Sequence, residues 1–139
     1  MNITSGRQAL AALIGAVTGI TYSPAALPEL VNVKQLPAAV VRFRNLTHDV
    51  IGTGGVYQAG YNYRVQVVVS LLKVETAEAT LESAFDGILA ALRTDPTVGG
   101  VCEDMRVRIV SEPDIVPEEN SATPLLVGAL DVTLAVEER

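Results

Sequence analysis

The chain has 139 residues, the size of one ordinary domain, and 49% of them are apolar against 19% charged, so a sizeable core is within reach. Aromatic residues make up only 4% and there is no Trp, which leaves Val, Leu, Ile and Ala to fill that core. A net charge of −6 excludes the nonspecific grip on nucleic acid that a basic field provides, though not a chain that surrounds DNA without holding it. Cys102 is the single cysteine, which rules out an internal disulfide and any metal cluster with Cys spacing, and suits a reducing compartment.

The first predicted element is a helix over residues 5–17, with Thr4 or Ser5 as its N-cap. Leu10, Leu13, Ile14 and Val17 recur at i, i+3, i+4 and i+7 and share one face. Arg7 followed by the apolar run 9–17 imitates a short signal sequence, but Gly15 interrupts the run and no small-residue cleavage site follows. The run is also well short of the ~20 apolar residues that span a bilayer. The expectation is an amphipathic helix in a soluble protein.

Pro24, Pro28 and Pro37 punctuate the next segment, which cannot be a long helix. A first strand is predicted over residues 39–44, with Ala39, Val41 and Phe43 on one side and Val40, Arg42 and Arg44 on the other. Residues 45–60 hold four glycines and read as a long loop, with a β-ribbon at its tip as one possibility. The second strand, over 61–71, alternates strongly: Tyr61, Tyr63, Val65, Val67, Val69 and Leu71 face one way and Asn62, Arg64, Gln66 and Ser70 the other, with only Val68 and the following Leu72 against the pattern. One apolar face marks an antiparallel strand rather than a parallel strand buried on both sides.

A second helix is predicted over 76–93, burying Ala77, Leu81, Ala84, Phe85, Ile88, Leu89 and Leu92. It ends at Asp95-Pro96-Thr97-Val98-Gly99-Gly100, where Pro96 disfavours helix and two glycines offer positive φ. The third strand, 105–110, turns Met105, Val107 and Ile109 inward and Arg106 and Arg108 outward. Residues 111–124 read as an acidic, Pro-containing loop. The last strand turns Leu126, Leu130, Val132, Leu134 and Val136 inward, and Asp131, Thr133 and Glu137 outward. The α-β-β-α-β-β order predicts an α+β two-layer sandwich in one domain. It would be a four-stranded, mainly antiparallel sheet with two helices on one face.

Chemistry is sparse along this order. His48 is the only histidine, so a His-rich metal site is excluded, and no nucleophile stands out to make a triad with its neighbour Asp49. Gly52-Thr53-Gly54-Gly55 lacks the Gly-Lys-Ser/Thr ending and the following helix of a phosphate loop. Nothing near Cys102 in sequence would lower its pKa, so it reads as a half-buried structural cysteine. The glycosylation-like Asn2-Ile3-Thr4 and Asn45-Leu46-Thr47 carry no weight without secretion. The expectation is a protein that is not an enzyme, with no catalytic residue, cofactor or metal.

Two charge patterns remain. Glu75, Glu78, Glu82 and Asp86 form an acidic stripe on the second helix. Its like-charge pairs each cost a few tenths of a kcal/mol, offset by the helix N-terminus for Glu75 and Glu78 but not for Asp86. Arg42, Arg44, Arg64, Arg106 and Arg108 all fall on the outward sheet face by parity, half of the ten basic residues. Both are either ordinary solvated charge, partly neutralised by Asp131 and Glu137, or two faces of a heterologous contact that repeats around a ring.

The layout resembles the tail terminator, or tail completion, proteins of long-tailed bacteriophages. The resemblance runs through Ala9-Leu10-Ala11-Ala12-Leu13-Ile14, a Leu36-Pro37 lead-in to a strand, and the Tyr-rich strand over 61–71. It continues with Glu75-Thr76-Ala77-Glu78, then Ala90-Ala91-Leu92-Arg93-Thr94-Asp95-Pro96-Thr97-Val98-Gly99-Gly100, and a final strand. It implies a virion protein, made in the host cytoplasm, that forms a homohexameric ring on the head-proximal end of the tail tube. Such a ring ends tube polymerisation and presents a surface to the head-tail connector or neck protein, with no membrane involved. It also implies docking through the two long loops, with His48, Asp49, Tyr57, Asp114, Glu118 and Glu119 as candidates, and an acidic lumen that lets DNA pass unbound. The stripe is open to either assignment, lumen or subunit contact. Alternatives are another neck or head-tail joining protein, or a small ligand-binding or enzymatic α+β domain that uses the arginine face for an anion.

Overall fold

The computed structural model describes residues 1–24, 36–50, 57–70, 74–116 and 125–138. Its elements are α1 (Ile3–Gly15), β1 (Ala38–Val50), β2 (Tyr57–Ser70), α2 (Val74–Thr94), β3 (Asp104–Val116) and β4 (Leu125–Glu138). The strands make one antiparallel sheet in the order β1-β2-β4-β3. The α+β class and the α-β-β-α-β-β order are therefore as the residue pattern predicts. The connection through α2 carries the chain from β2 past an empty position, and β4 returns to fill it.

The core lies between the sheet and the two helices. Leu10, Ala11 and Ile14 of α1 join Ala77, Leu81, Ala84, Ile88 and Leu92 of α2 in one buried cluster. The sheet supplies the odd-numbered residues of β2 from Ala59 to Val69, and Leu126, Leu130, Val132 and Leu134 of β4. Phe85 and Leu89, expected in the core, are half-buried at its margin.

Helix α1 starts earlier than the predicted residue 5. Asn2 is its N-cap, accepting at Oδ1 from the Ser5 N–H at 2.7 Å while the Ser5 Oγ accepts from the Asn2 N–H at 2.9 Å. This reciprocal pair satisfies two donors at the helix end, and asparagine caps as well as serine or threonine does. Two tyrosines of β2 fasten the same end: the Tyr63 hydroxyl donates to the Ile3 carbonyl at 2.7 Å, and the Tyr61 hydroxyl to that of Met1 at 3.4 Å. Burial, reinforced by Tyr61, pushes the Tyr63 phenol up to about 12.

The predicted stop after α2 is present and tighter than expected. The Asp95 Oδ2 accepts from the Gly99 N–H at 2.8 Å, and the Cys102 N–H donates to the Thr97 carbonyl at 3.1 Å. Val98, Gly99 and Gly100 all have positive φ, at 50°, 69° and 84°. Glycine takes this region freely; Val98 does so against its β-branch, with its side chain buried at 3% exposure.

The strands run longer than predicted. Residues 45–50 and 57–60, expected as loop, extend the β1–β2 ribbon, and residues 111–116 extend β3. A bulge between Phe43 and Asn45 explains the first. It switches the parity of β1, so Leu46 and His48 sit opposite Tyr61 and Ala59, while Asn45 and Thr47 sit opposite Asn62 and Gly60. Pro113 is compatible with β3 because that strand is an edge, and its pairing with β4 shifts register between Ser111 and Asp114.

One core expectation fails. Ile109, predicted inward, is 57% exposed. It has the core-side parity, opposite Leu130, but α1 packs chiefly on β1 and α2 on β2 and β4. The outer edge of the sheet lies past the cover of the helices.

Candidate functional site

The open face of the sheet gathers the five predicted arginines. One rung across the four strands reads Arg42, Arg64, Asp131, Arg108, and the next reads Asn45, Asn62, Thr133, Arg106. Arg44 is the extra residue at the β1 bulge. Asp131 is the hub. It accepts from Arg44 at 2.7 Å and from the Arg64 Nε at 3.0 Å, and Arg108 lies 3.6 Å away. Partial burial works to raise the Asp131 pKa, but hydrogen bonding and charge from Arg64, with the charges of Arg44 and Arg108, outweigh it and hold the carboxyl below its ordinary value.

Beside this hub the Thr133 hydroxyl donates to the Asn62 Oδ1 at 2.6 Å, and the Asn62 Nδ2 donates to the Asn45 Oδ1, also at 2.6 Å. Asp131, Asn62 and Thr133, with Arg44, Arg106 and Arg108 around them, line a shallow basin of about 420 Å³. The sequence pattern placed the arginines on this face and offered Asp131 as a neutralising partner. The Thr133–Asn62–Asn45 chain has no signal in the sequence, because only the strand order sets these residues side by side.

Asp131 supports a pH-dependent prediction. A carboxyl held low in the folded state stabilises above its unfolded pKa, and that gain disappears as the pH falls through the folded value. Asp131→Asn should therefore cost about 1–2 kcal/mol at neutral pH, from three partly exposed contacts worth a few tenths to 1 kcal/mol each. The gap from wild type should close as the pH drops below the ordinary value of 3.8. Urea unfolding of both proteins from pH 7 to pH 2.5 checks this; a gap of constant size would refute it.

The acidic stripe lies in the other layer. Glu78, Glu82 and Asp86 are exposed along one flank of α2, beside the face that holds Leu81, Ile88 and Leu92 against the sheet. Glu75 also lies in α2. The stripe and the arginine band therefore lie in different layers, with the core between them.

The docking candidates separate. His48 and Tyr57 meet at the end of the β1–β2 ribbon, ring centroids 6.3 Å apart in an edge-on arrangement, and Asp49 lies in the same ribbon opposite Gln58. Asp114 lies in β3 opposite Val127, near where β3 and β4 meet at Val116 and Leu125. That end pairs with Ser70 of β2, whereas the ribbon end pairs Tyr57 with Glu138, so the two hairpins open at opposite ends of the sheet. Glu118 and Glu119 lie outside the described residues.

Elsewhere, Cys102 is buried at 5% exposure, its thiol pushed up first by burial and then by Asp104, Asp95 and Glu103. Among the described residues no group of three His, Cys, Asp or Glu side chains is arranged to hold a metal ion, and no helix is long and apolar enough to cross a membrane. The class is thus a small α+β sandwich whose distinguishing surface is a charged sheet face. No protein-family model matches the chain, and no curated protein matches it.

Proposed function

We propose that this chain is a structural subunit of a bacteriophage tail, a terminator-like protein that forms a ring at the head-proximal end of the tail tube. The carrying observation is the α-β-β-α-β-β sandwich with the ordered motifs named above, among them the capped turn from Asp95 to Gly100 that returns the chain to the sheet. In this reading the ring is a homohexamer that ends tube polymerisation and offers its upper surface to the head-tail connector or neck protein. The two hairpins, opening at opposite ends of the sheet, suit a part that touches one partner above and another below. DNA passes through the ring without specific binding, in keeping with a net charge of −6. No catalytic step is assigned, and the protein acts in the virion rather than in a reaction.

Particles made without this protein test the reading by electron microscopy. Tails of uncontrolled length are the expected result. Tails of normal length joined to heads would refute the assignment. A ligand-binding reading rests on the basin around Asp131. It is the weaker one, because Asp131 already occupies three of the five arginines and would repel an incoming anion.

A further inference from the structure

We propose that the arginine band on the open sheet face is the docking surface for the exposed acidic flank of α2 on a second copy of this chain. The inference deepens the ring reading and rests on it for the number of copies; what it adds is the pair of surfaces that join.

The charges are arranged for contact between molecules rather than within one. Arg42, Arg106 and Arg108 are exposed on the sheet layer of the domain, and Glu78, Glu82 and Asp86 are exposed on the helix layer, with the core between them. A single chain cannot bring its stripe to its own band; a neighbour can. Asp131 takes up Arg44, Arg64 and Arg108, yet among the described residues no carboxylate lies in ion-pair range of Arg42 or Arg106. Likewise no described cation pairs with Glu78, Glu82 or Asp86. Each surface keeps an excess of one sign.

The spacings also correspond. Carboxylates four residues apart on a helix repeat every ~6 Å along its axis. Arginines two residues apart on a strand, such as Arg106 and Arg108, repeat every ~7 Å, and the rung from Arg42 to Arg108 crosses three strand gaps of ~4.8 Å each. The stretch from Glu78 to Asp86, about 12 Å of helix, therefore lies over the band with the three described carboxylates in reach of several guanidinium groups. Docking would remove the like-charge strain within the stripe and supply the arginines left over by Asp131.

The occupant is a protein surface and not a polyphosphate. Past the arginine rungs the same face carries exposed Asp104 and Glu137 toward the end of the sheet where Tyr57 pairs with Glu138, so the band is bounded at that end by its own carboxylates. A short stripe fits inside that boundary, whereas a continuing phosphate backbone would run onto like charge. Because the two surfaces are different patches in different layers, the contact is heterologous: every copy offers both, and the assembly closes as a ring or grows as a stack.

Two variants of the full chain provide the test, E78K/E82K/D86K and R106E/R108E, all at exposed positions. Circular dichroism first confirms that each folds, and analytical ultracentrifugation in low and high salt then reads assembly. Wild type should associate at low salt and weaken as salt rises. Each variant alone should lose association roughly 100-fold, since like charges then face one another. An equimolar mixture of the two should regain it, because each reversed surface meets its complement on the other variant. Variants that assemble as wild type does, or folded variants whose mixture stays monomeric, would overturn the proposal. Rings unaffected by either variant would leave the terminator reading standing and end this one. Recovery in the mixture without any closed ring would do the reverse. Wild type that stays monomeric while binding a DNA duplex through Arg106 and Arg108 would replace the second copy with a phosphate backbone.

Discussion

Ile88→Ala should destabilise the domain by about 2–5 kcal/mol, with a lower urea midpoint and an unchanged slope. Ile88 is fully buried, in the middle of a helix face that also carries Leu81, Ala84 and Leu92. Three carbons are removed, and their transfer energy alone is about 2.4 kcal/mol. The rest depends on whether the neighbours can collapse into the space. Here they cannot readily do so: Val65, Val132 and Leu130 of the same buried cluster stand on β2 and β4, the two central strands, each paired on both sides. A sheet held by ladders on both edges resists moving toward a gap, so the cavity term persists. An exposed position on the same helix gives the contrast. Glu82→Ala, on the solvent side, should change stability by no more than about 0.5 kcal/mol. If the two substitutions had similar effects, α2 would not be packed as described.

The core was legible because it depends on period alone. The alternation of β2 from Tyr61 to Val69 and the helical spacing from Ala77 to Leu92 each point to one face, and those faces meet in the structure. The ends of elements were less legible, for two separate reasons. At Arg44 a bulge adds one residue, so the alternation of β1 breaks and its second half looks like loop. At Ile109 parity is right but cover is missing, since which strand becomes the edge follows from the strand order and not from the strand's own residues.

The charged face shows the same division. Parity put five arginines on one side of the sheet, which needs no knowledge of topology. That Asp131 stands between Arg64 and Arg108 required β4 to lie between β2 and β3, a long-range pairing that no local pattern encodes. The band therefore reads differently in three dimensions: a neutralised centre at Asp131 with Arg42 and Arg106 left over, in place of five equivalent cations.

Gly128→Val tests how closely α2 rests on the sheet. A Cβ at Gly128 would meet the Phe85 Cζ, with the Phe85 Cε2 at 2.8 Å and the Leu81 Cδ2 at 3.3 Å. The missing side chain is thus the space that the Phe85 ring fills, and α2 approaches the backbone of β4 only because nothing projects there. Valine adds three carbons where there is room for none, and overpacking of this kind costs about 1–3 kcal/mol, sometimes more. The strand preference of valine over glycine works the other way, by at most about 1 kcal/mol, so the balance is a net loss toward the upper part of that range. The clash has a single main partner, which makes the cause separable from a general effect on β4. Phe85→Ala alone should destabilise by removing a half-buried ring. Combined with Gly128→Val it should cost clearly less than the two single losses added together, because each substitution relieves what the other disturbs. Thermal and urea unfolding of the four proteins in that cycle measure the coupling. Strict additivity would mean that the valine acts through the strand alone, and that Phe85 does not hold α2 against Gly128.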